Sequence, residues 1–188
     1  MARPKEFDKE EALEAAIGVF REHGYAATSA TMLTAAMSIG RQSLYDTFGD
    51  KWQLYCAAVE RYSAGEAQAH AALLRSGPKA IDGIRRMIER VAAEAHMPCL
   101  GVNSVSEFGV GPADLVAIRG VAAKRIDGAL MDAIRTAQAD GDIDASLEPA
   151  HVAGFIRGQL TALRLEGRAG AAAAQRRCFV ELAMRALR

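Results

Sequence analysis

The stretch from Thr28 to Trp52, TSATMLTAAMSIGRQSLYDTFGDKW, constrains this chain more than any other. It holds two short helical patterns, a three-residue joint and the start of a further helix. Ser29 is placed to cap a helix whose apolar positions Met32, Leu33, Ala36 and Met37 line one face. The joint is Ser38-Ile39-Gly40. A second short helix runs from Arg41 to Phe48, with Leu44 and Phe48 one turn apart and facing inward. Its outward side carries Arg41, Gln42, Ser43, Tyr45 and Thr47, almost all hydrogen-bonding groups. Asp50 and Gln53 have the spacing of a capping box, so another helix begins at once.

Two short helices joined by three or four residues, the second rich in exposed donors, meet the requirement of a helix-turn-helix unit that reads double-stranded DNA. A preceding helix fits the same unit. Asp8 to Glu11 has capping-box spacing, Ala12, Leu13, Ala16, Ile17 and Phe20 share one side, and His23-Gly24 ends the pattern. The three helices, roughly 8–48, should pack around Leu13, Ile17, Phe20, Met32, Leu33, Leu44 and Phe48. Arg offers two parallel donors to guanine O6 and N7, and Gln can pair bidentately with adenine, so Arg41 and Gln42 are the candidates for sequence readout. Upstream, Arg3 and Lys5 flank Pro4, either as a frayed terminus or as a basic arm against DNA.

The rest of the chain continues in helical periods, and strand-forming runs are missing, so the expected class is all-α. A helix from Asp50 runs to about Ala64 or further. Pro78 suits the first turn of the next, which carries Ile81, Ile84, Ile88, Val91 and Ala95. Residues 98–112 are glycine-rich, with a short helix expected around 103–108. Gly111-Pro112 opens a long helix ending at Asp140-Gly141. Pro149 opens another, closed by Gly167, and a last helix over about 171–187 carries Phe179, Leu182, Ala183, Ala186 and Leu187. The expected division is a DNA-binding domain over 1–49 and a helical ligand-binding and dimerisation domain over 50–188.

Charge does not argue for a polyanion partner. The chain has 23 basic and 23 acidic residues, and residues 1–51 hold six Lys/Arg against eight Asp/Glu. A DNA-binding role therefore rests on where side chains stand. Cys56, Cys99 and Cys178 are odd in number and widely spaced, which favours a reducing cytoplasm over a disulfide framework. Cys56 and Cys178 fall on apolar helical stretches and read as core. Neither a signal peptide nor a membrane-length apolar run is present, so no membrane partner is expected. Asp140, Asp142 and Asp144 alternate like a calcium loop, but Ala145 stands where glycine is needed, leaving a connecting loop. His96 and Cys99 make only a minimal metal pair. No phosphate loop, nucleophile elbow, zinc-protease motif or dinucleotide fingerprint appears, which argues against an enzyme, a metal site or a cofactor.

With these residues in place, the sequence resembles the TetR/AcrR family of one-component transcriptional regulators. The resemblance lies in Gly24-Tyr25 after the first helix, Thr28-Ser29 before the second, Ser43-Leu44-Tyr45 to Phe48, and then Gly49-Asp50-Lys51. It covers about residues 8–55. Cys99-Leu100-Gly101-Val102-Asn103 also looks like a stretch found in one subgroup. The resemblance implies a homodimer with a three-helix DNA-binding head and a helical ligand-binding body. It places Tyr45 and Lys51 on phosphate, Arg41, Gln42 and Ser43 nearest the base edges, and Ser29 and Thr31 on phosphate at the start of the second helix. One departure stands out. The family usually has Gly first in the joint and Ser or Thr as the next cap, whereas here Ser38 comes first and Gly40 caps; a left-handed serine would cost about 1 kcal/mol.

In the body, Gly154, Gly158 and Ala162 recur at four-residue spacing and permit close approach of another helix, within one subunit or across a dimer. A two-fold dimer would set two reading helices about 34 Å apart on a near-palindromic operator. Met87, Val91, Phe108, Ile118, Phe155 and Gln159 are candidate walls for a small-molecule effector, expected to be largely apolar, with Cys99 a candidate sensor thiol. The reading is thus a dimeric regulator, expected to be a repressor released by a small-molecule or reactive effector. The alternative is an all-helical small-molecule-binding protein or enzyme whose head is only structural.

Overall fold

The computed structural model describes residues 7–188; the basic arm at Arg3 and Lys5 lies outside them. The described residues form nine α-helices and no strand: α1 (Lys9–His23), α2 (Ala30–Met37), α3 (Arg41–Phe48), α4 (Lys51–Leu74), α5 (Ala80–Glu94), α6 (Leu100–Phe108), α7 (Ala113–Ala139), α8 (Pro149–Arg168) and α9 (Ala173–Arg185). They make two units. The first comprises the chain up to Ala64 together with Cys99–Gly120, and the second comprises Gly65–Pro98 and Val121–Arg188.

In the first unit the helix ends follow local chemistry. The Asp8 carboxylate accepts the backbone N–H groups of Glu10 and Glu11 at 2.7 and 3.1 Å, satisfying donors that a helix start leaves without partners. Ser29 Oγ does the same for Met32 at 3.2 Å. At α4 the capping box closes reciprocally: Gln53 N–H donates to Asp50 at 2.8 Å and Asp50 N–H to the Gln53 side chain at 3.1 Å. Phe20, Leu33, Leu44, Leu54 and Tyr55 are fully buried in one core with Leu13, Ile17 and Phe48. Met32 is only half-buried and Ala36 is exposed, because Leu33 and Met37 supply the inward face of this two-turn helix.

The joint is as strained as its composition suggests. Ser38 has φ 54° and ψ 37°, the one non-glycine residue with positive φ among those described, and Gly40 caps α3 without a side-chain bond. Ser38→Val should therefore lose about 1–2 kcal/mol relative to Ser38→Gly, since a β-branched side chain fits this conformation worst. Urea midpoints of the two variants check this.

The second unit is built on Ile84, Met87, Ile88 and Val91 of α5, Leu130 and Ile134 of α7, Val152, Ile156 and Leu163 of α8, and Val180 and Met184 of α9. Four expectations are corrected, three in this unit and one, at α6, in the first. Pro78 precedes the α5 cap, Lys79, rather than opening the helix. Helix α6 starts three residues earlier than expected and takes Gly101 inside it. Gly167 does not close α8; it is a buried helical residue, and a β-carbon there would collide with the backbone of Ala95. On α9 the buried face is Val180, Ala183 and Met184, leaving Leu182 59% exposed.

The second unit also has a charged interior. Arg164, 6% exposed, donates to the Glu94 backbone carbonyl at 2.9 Å, to Glu66 at 3.3 Å and to the Glu94 carboxylate at 3.4 Å. Arg90 holds the same two carboxylates at 2.6 and 3.1 Å. His70 lies beside Glu66 at 3.9 Å and is itself buried. No helix among the described residues is long and apolar enough to cross a membrane.

Candidate DNA-contacting surface

The candidate surface starts at the two helix N-termini. Ser29 is exposed, and its oxygen is engaged as an acceptor for Met32 N–H, which leaves its own O–H free to donate. Thr31, the second residue of α2, is exposed. Because Gly40 has no side chain to cap α3, the first N–H groups of that helix keep no side-chain partner. A helix start in this condition favours an anion.

Leu44 and Phe48 anchor α3 in the first core, and the opposite side is presented outward. Arg41 and Gln42 are exposed, while Ser43 and Tyr45 are half-buried. The Arg41 guanidinium lies over the Tyr45 ring, 5.8 Å from its centre. Lys51, at the start of α4, has its ammonium 4.3 Å from the centre of the Tyr25 ring, a cation–π contact that restrains a flexible side chain. The seven residues expected at DNA thus belong to a single unit. An eighth group, Asp46, shares their outward strip: Gln42 Nε2 donates to its carboxylate at 2.8 Å.

Behind this surface sits a layer that periodicity did not disclose. Tyr25, Trp52, Tyr55 and Phe108 form an aromatic cluster with ring centres 5.1–5.8 Å apart. Around it, polar bonds tie α6 and the start of α7 to α1 and α4. The Glu107 carboxylate accepts the Tyr25 N–H at 2.8 and 3.1 Å. Asn103 donates to the carbonyl of Arg21 at 2.9 Å, and Trp52 Nε1 donates to Asp114 at 2.7 Å. Arg119 reaches the carbonyls of Ser104 and Gly109. The Trp52 bond holds the Asp114 carboxyl below its ordinary range. Gly24, with φ 70°, lets the chain turn where Glu107 approaches; a β-carbon there would strike that carboxylate. Of these residues, Gly24, Tyr25, Asn103 and Phe108 carried a signal in the sequence, whereas Glu107, Asp114 and Arg119 did not.

The candidate effector residues divide between the units. Cys99, Phe108 and Ile118 belong to the first; Cys99 is half-buried at the cap of α6, and Phe108 and Ile118 pack on the first core. Met87, Val91, Phe155 and Gln159 belong to the second. Met87 and Val91 are buried in its core, Phe155 is 38% exposed and Gln159 half-buried. Recesses within the second unit have other linings. One of about 440 Å³ lies between α5 and α9 against Ala92, Arg176 and Val180, and one of about 590 Å³ adjoins the Gly141–Ala145 loop. Cys178 is exposed, not core, because it faces away from Val180 on α9. Cys56 is half-buried; burial, with Asp114 beside it, pushes its thiol up to about 11 and keeps it protonated. Among the described residues no three His, Cys, Asp or Glu side chains gather to hold a metal ion.

Two short helices, a tight joint and an exposed polar face on the second define a helix-turn-helix protein. Residues 12–58 match the model for bacterial regulatory proteins of the tetR family. The HTH-type transcriptional regulator YezE of Bacillus subtilis (strain 168) is 37% identical over 112 residues, an alignment that takes in 57% of this chain and 58% of that protein's length. The HTH-type transcriptional repressor ComR of Escherichia coli (strain K12) is 27% identical over 177 residues, covering 90% of this chain and 83% of ComR. Among solved structures, a cysteine mutant of the TetR family transcriptional regulator CifR, complexed with 26-base-pair operator DNA, superposes with a TM-score of 0.80. That pair is 28% identical and covers 99% of this chain and 100% of CifR. The tetR-family match thus spans the helix-turn-helix region, and the proteins and structure this chain resembles are transcriptional regulators.

Proposed function

We propose that this protein is a cytoplasmic, dimeric, sequence-specific repressor that binds a near-palindromic operator and leaves it when an effector engages its helical body. The observation that carries this reading is the outward face of α3. Arg41 and Gln42 are exposed on a helix that Leu44 and Phe48 hold rigidly against the first core. Rigid presentation suits base readout, because a side chain must meet a base edge within a narrow geometry. Ser29, Thr31, Tyr45 and Lys51 would position the head on phosphate. The operator-bound CifR and the repressor ComR, as relatives over most of the chain, support the same role.

In this reading, residues 1–49 bind DNA and 50–188 provide effector binding and dimerisation. The bonds from Glu107, Asn103 and Asp114 into α1 and α4 are the route by which a shift of α6 would re-aim the reading helix. The effector must bind the DNA-incompetent arrangement better for this to release DNA. For pairing, α8 offers Gly158, which is exposed with open space above its α-carbon, together with exposed Phe155 and Leu165; α9 offers Leu182.

Selection of bound sequences from random duplex DNA should yield a palindromic consensus, and light scattering at micromolar concentration should report a dimer. Arg41→Ala should flatten the preference at one base position, a loss of ~1–3 kcal/mol, with the other positions unchanged. Lys51→Ala and Tyr45→Phe should weaken binding evenly across sequences, and Lys51→Ala should lower the salt slope by about 1. A monomer, or an Arg41→Ala protein with unaltered preference, would contradict the proposal.

A further inference from the structure

The outward strip of α3 carries an acid where a DNA-binding surface ordinarily favours bases. Asp46 is exposed, and it stands one turn beyond Gln42, whose side-chain amide donates to it at 2.8 Å. A carboxylate facing a duplex is repelled by every phosphate it approaches. It becomes favourable only where the groove offers a donor. In the major groove, the only base donors are the exocyclic amino groups, N4 of cytosine and N6 of adenine.

We propose that Asp46 is a specificity-determining residue that, paired with Gln42, selects a cytosine in each operator half-site. This rests on the DNA-reading role of α3 argued above. The bond to Gln42 occupies Oδ1 and leaves the second carboxylate oxygen with its lone pairs. The same bond commits one of the two Nε2 protons of Gln42, while Oε1 keeps both lone pairs. Together the two side chains present an edge richer in acceptors than in donors. Guanine offers O6 and N7 to the groove, and thymine offers O4, all acceptors that such an edge repels. Adenine places the acceptor N7 beside its amino group. In the duplex the adenine amino group is flanked by acceptors on both sides, its own N7 and O4 of the paired thymine, whereas the cytosine amino group has an acceptor on one side only, O6 of the paired guanine. The pairing also orients the Gln42 amide before DNA arrives, so the bidentate contact with adenine expected of a free glutamine is replaced by a fixed, acceptor-rich presentation. Arg41 is held apart from this pair, over the Tyr45 ring, and reads separately.

The test is selection from random duplex DNA with the full chain as wild type, Asp46→Ala, Asp46→Asn and Gln42→Ala. The wild type should show one position per half-site at which cytosine is required. Asp46→Ala should reduce that preference roughly tenfold or more, as loss of a specific base contact does, with the preference set by Arg41 unchanged. Its binding to non-operator duplex should tighten, because a negative charge facing the phosphates has gone. Asp46→Asn, which keeps a partner for Gln42 but mixes donor and acceptor, should broaden the same position. An Asp46→Ala consensus identical to the wild type overturns the inference. So does an equal loss on every sequence, the mark of a residue that merely stiffens the helix. If the wild type selects no consensus, the DNA-reading role falls together with this inference, whereas an unchanged Asp46→Ala consensus removes this inference alone.

Discussion

Replacing Phe20 with alanine is expected to destabilise the first unit by about 4 kcal/mol and to abolish operator binding at ordinary protein concentrations. Phe20 has no exposed surface, and its ring meets Tyr55 of α4 edge-on with centres 5.0 Å apart. Truncation removes the transfer energy of the ring and leaves a cavity between α1 and α4, which the fully buried Leu33, Leu54 and Tyr55 are too closely packed to fill. Unfolding can be followed selectively. Trp52 is the only tryptophan in the chain and its ring lies 5.8 Å from that of Tyr55, so its fluorescence in urea reports on this unit. A loss below about 2 kcal/mol would mean that the site collapses readily and that the head is less rigid than base readout requires.

The second large effect is expected at Arg164. Its guanidinium serves the carboxylates of Glu66 and Glu94 and the Glu94 backbone carbonyl at the end of α5. Arg164→Ala should cost about 3 kcal/mol, because removing one partner of a buried network leaves charge unpaired. The figure is at the low end for such changes, since Arg90 still holds both carboxylates and their side chains are 21 and 31% exposed. Thermal unfolding followed by far-ultraviolet circular dichroism measures it. The same cluster sets a pH dependence. Burial first, with Arg90 and Arg164 beside it, holds the His70 imidazole below its ordinary 6.5, against the pull of Glu66. The unfolded chain therefore binds the proton before the folded one does. Stability should be complete above that ordinary value and fall as pH drops through it, and His70→Gln should flatten this decline. A His70→Gln protein as acid-sensitive as the wild type would place the effect elsewhere.

How much of this was legible beforehand depended on the range of each interaction. The caps at Asp8, Ser29 and Asp50 are bonds between residues two or three apart, and such spacing can be read directly. The inward positions of α1, α3 and α5 follow the helical period because each helix packs on one side. The positive φ of Ser38 followed from placing serine where the joint must turn left-handed. By contrast, Gly167 resembled a helix terminator because nothing nearby in sequence discloses that Ala95 packs on it. Helix α6 carries Gly101 near its start, and local propensity alone puts the beginning too late. On α9, both Leu182 and Val180 are apolar, and only packing decides which of them is covered.

The sequence by itself determined the helical class, the ends of most helices, the helix-turn-helix and the residues on its outward side, because caps and periodicity act within a turn or two of chain. Only the tertiary structure decided that Gln42 is held by Asp46 and that Asn103 and Glu107 grip the last turn of α1 and the turn after it, each from 82 residues away. The same holds for the charged cluster that joins Glu66 to Arg164 across 98 residues. Contacts at such separations leave no period in the sequence; they exist only once the apolar faces have packed and fixed which polar groups must find each other out of water.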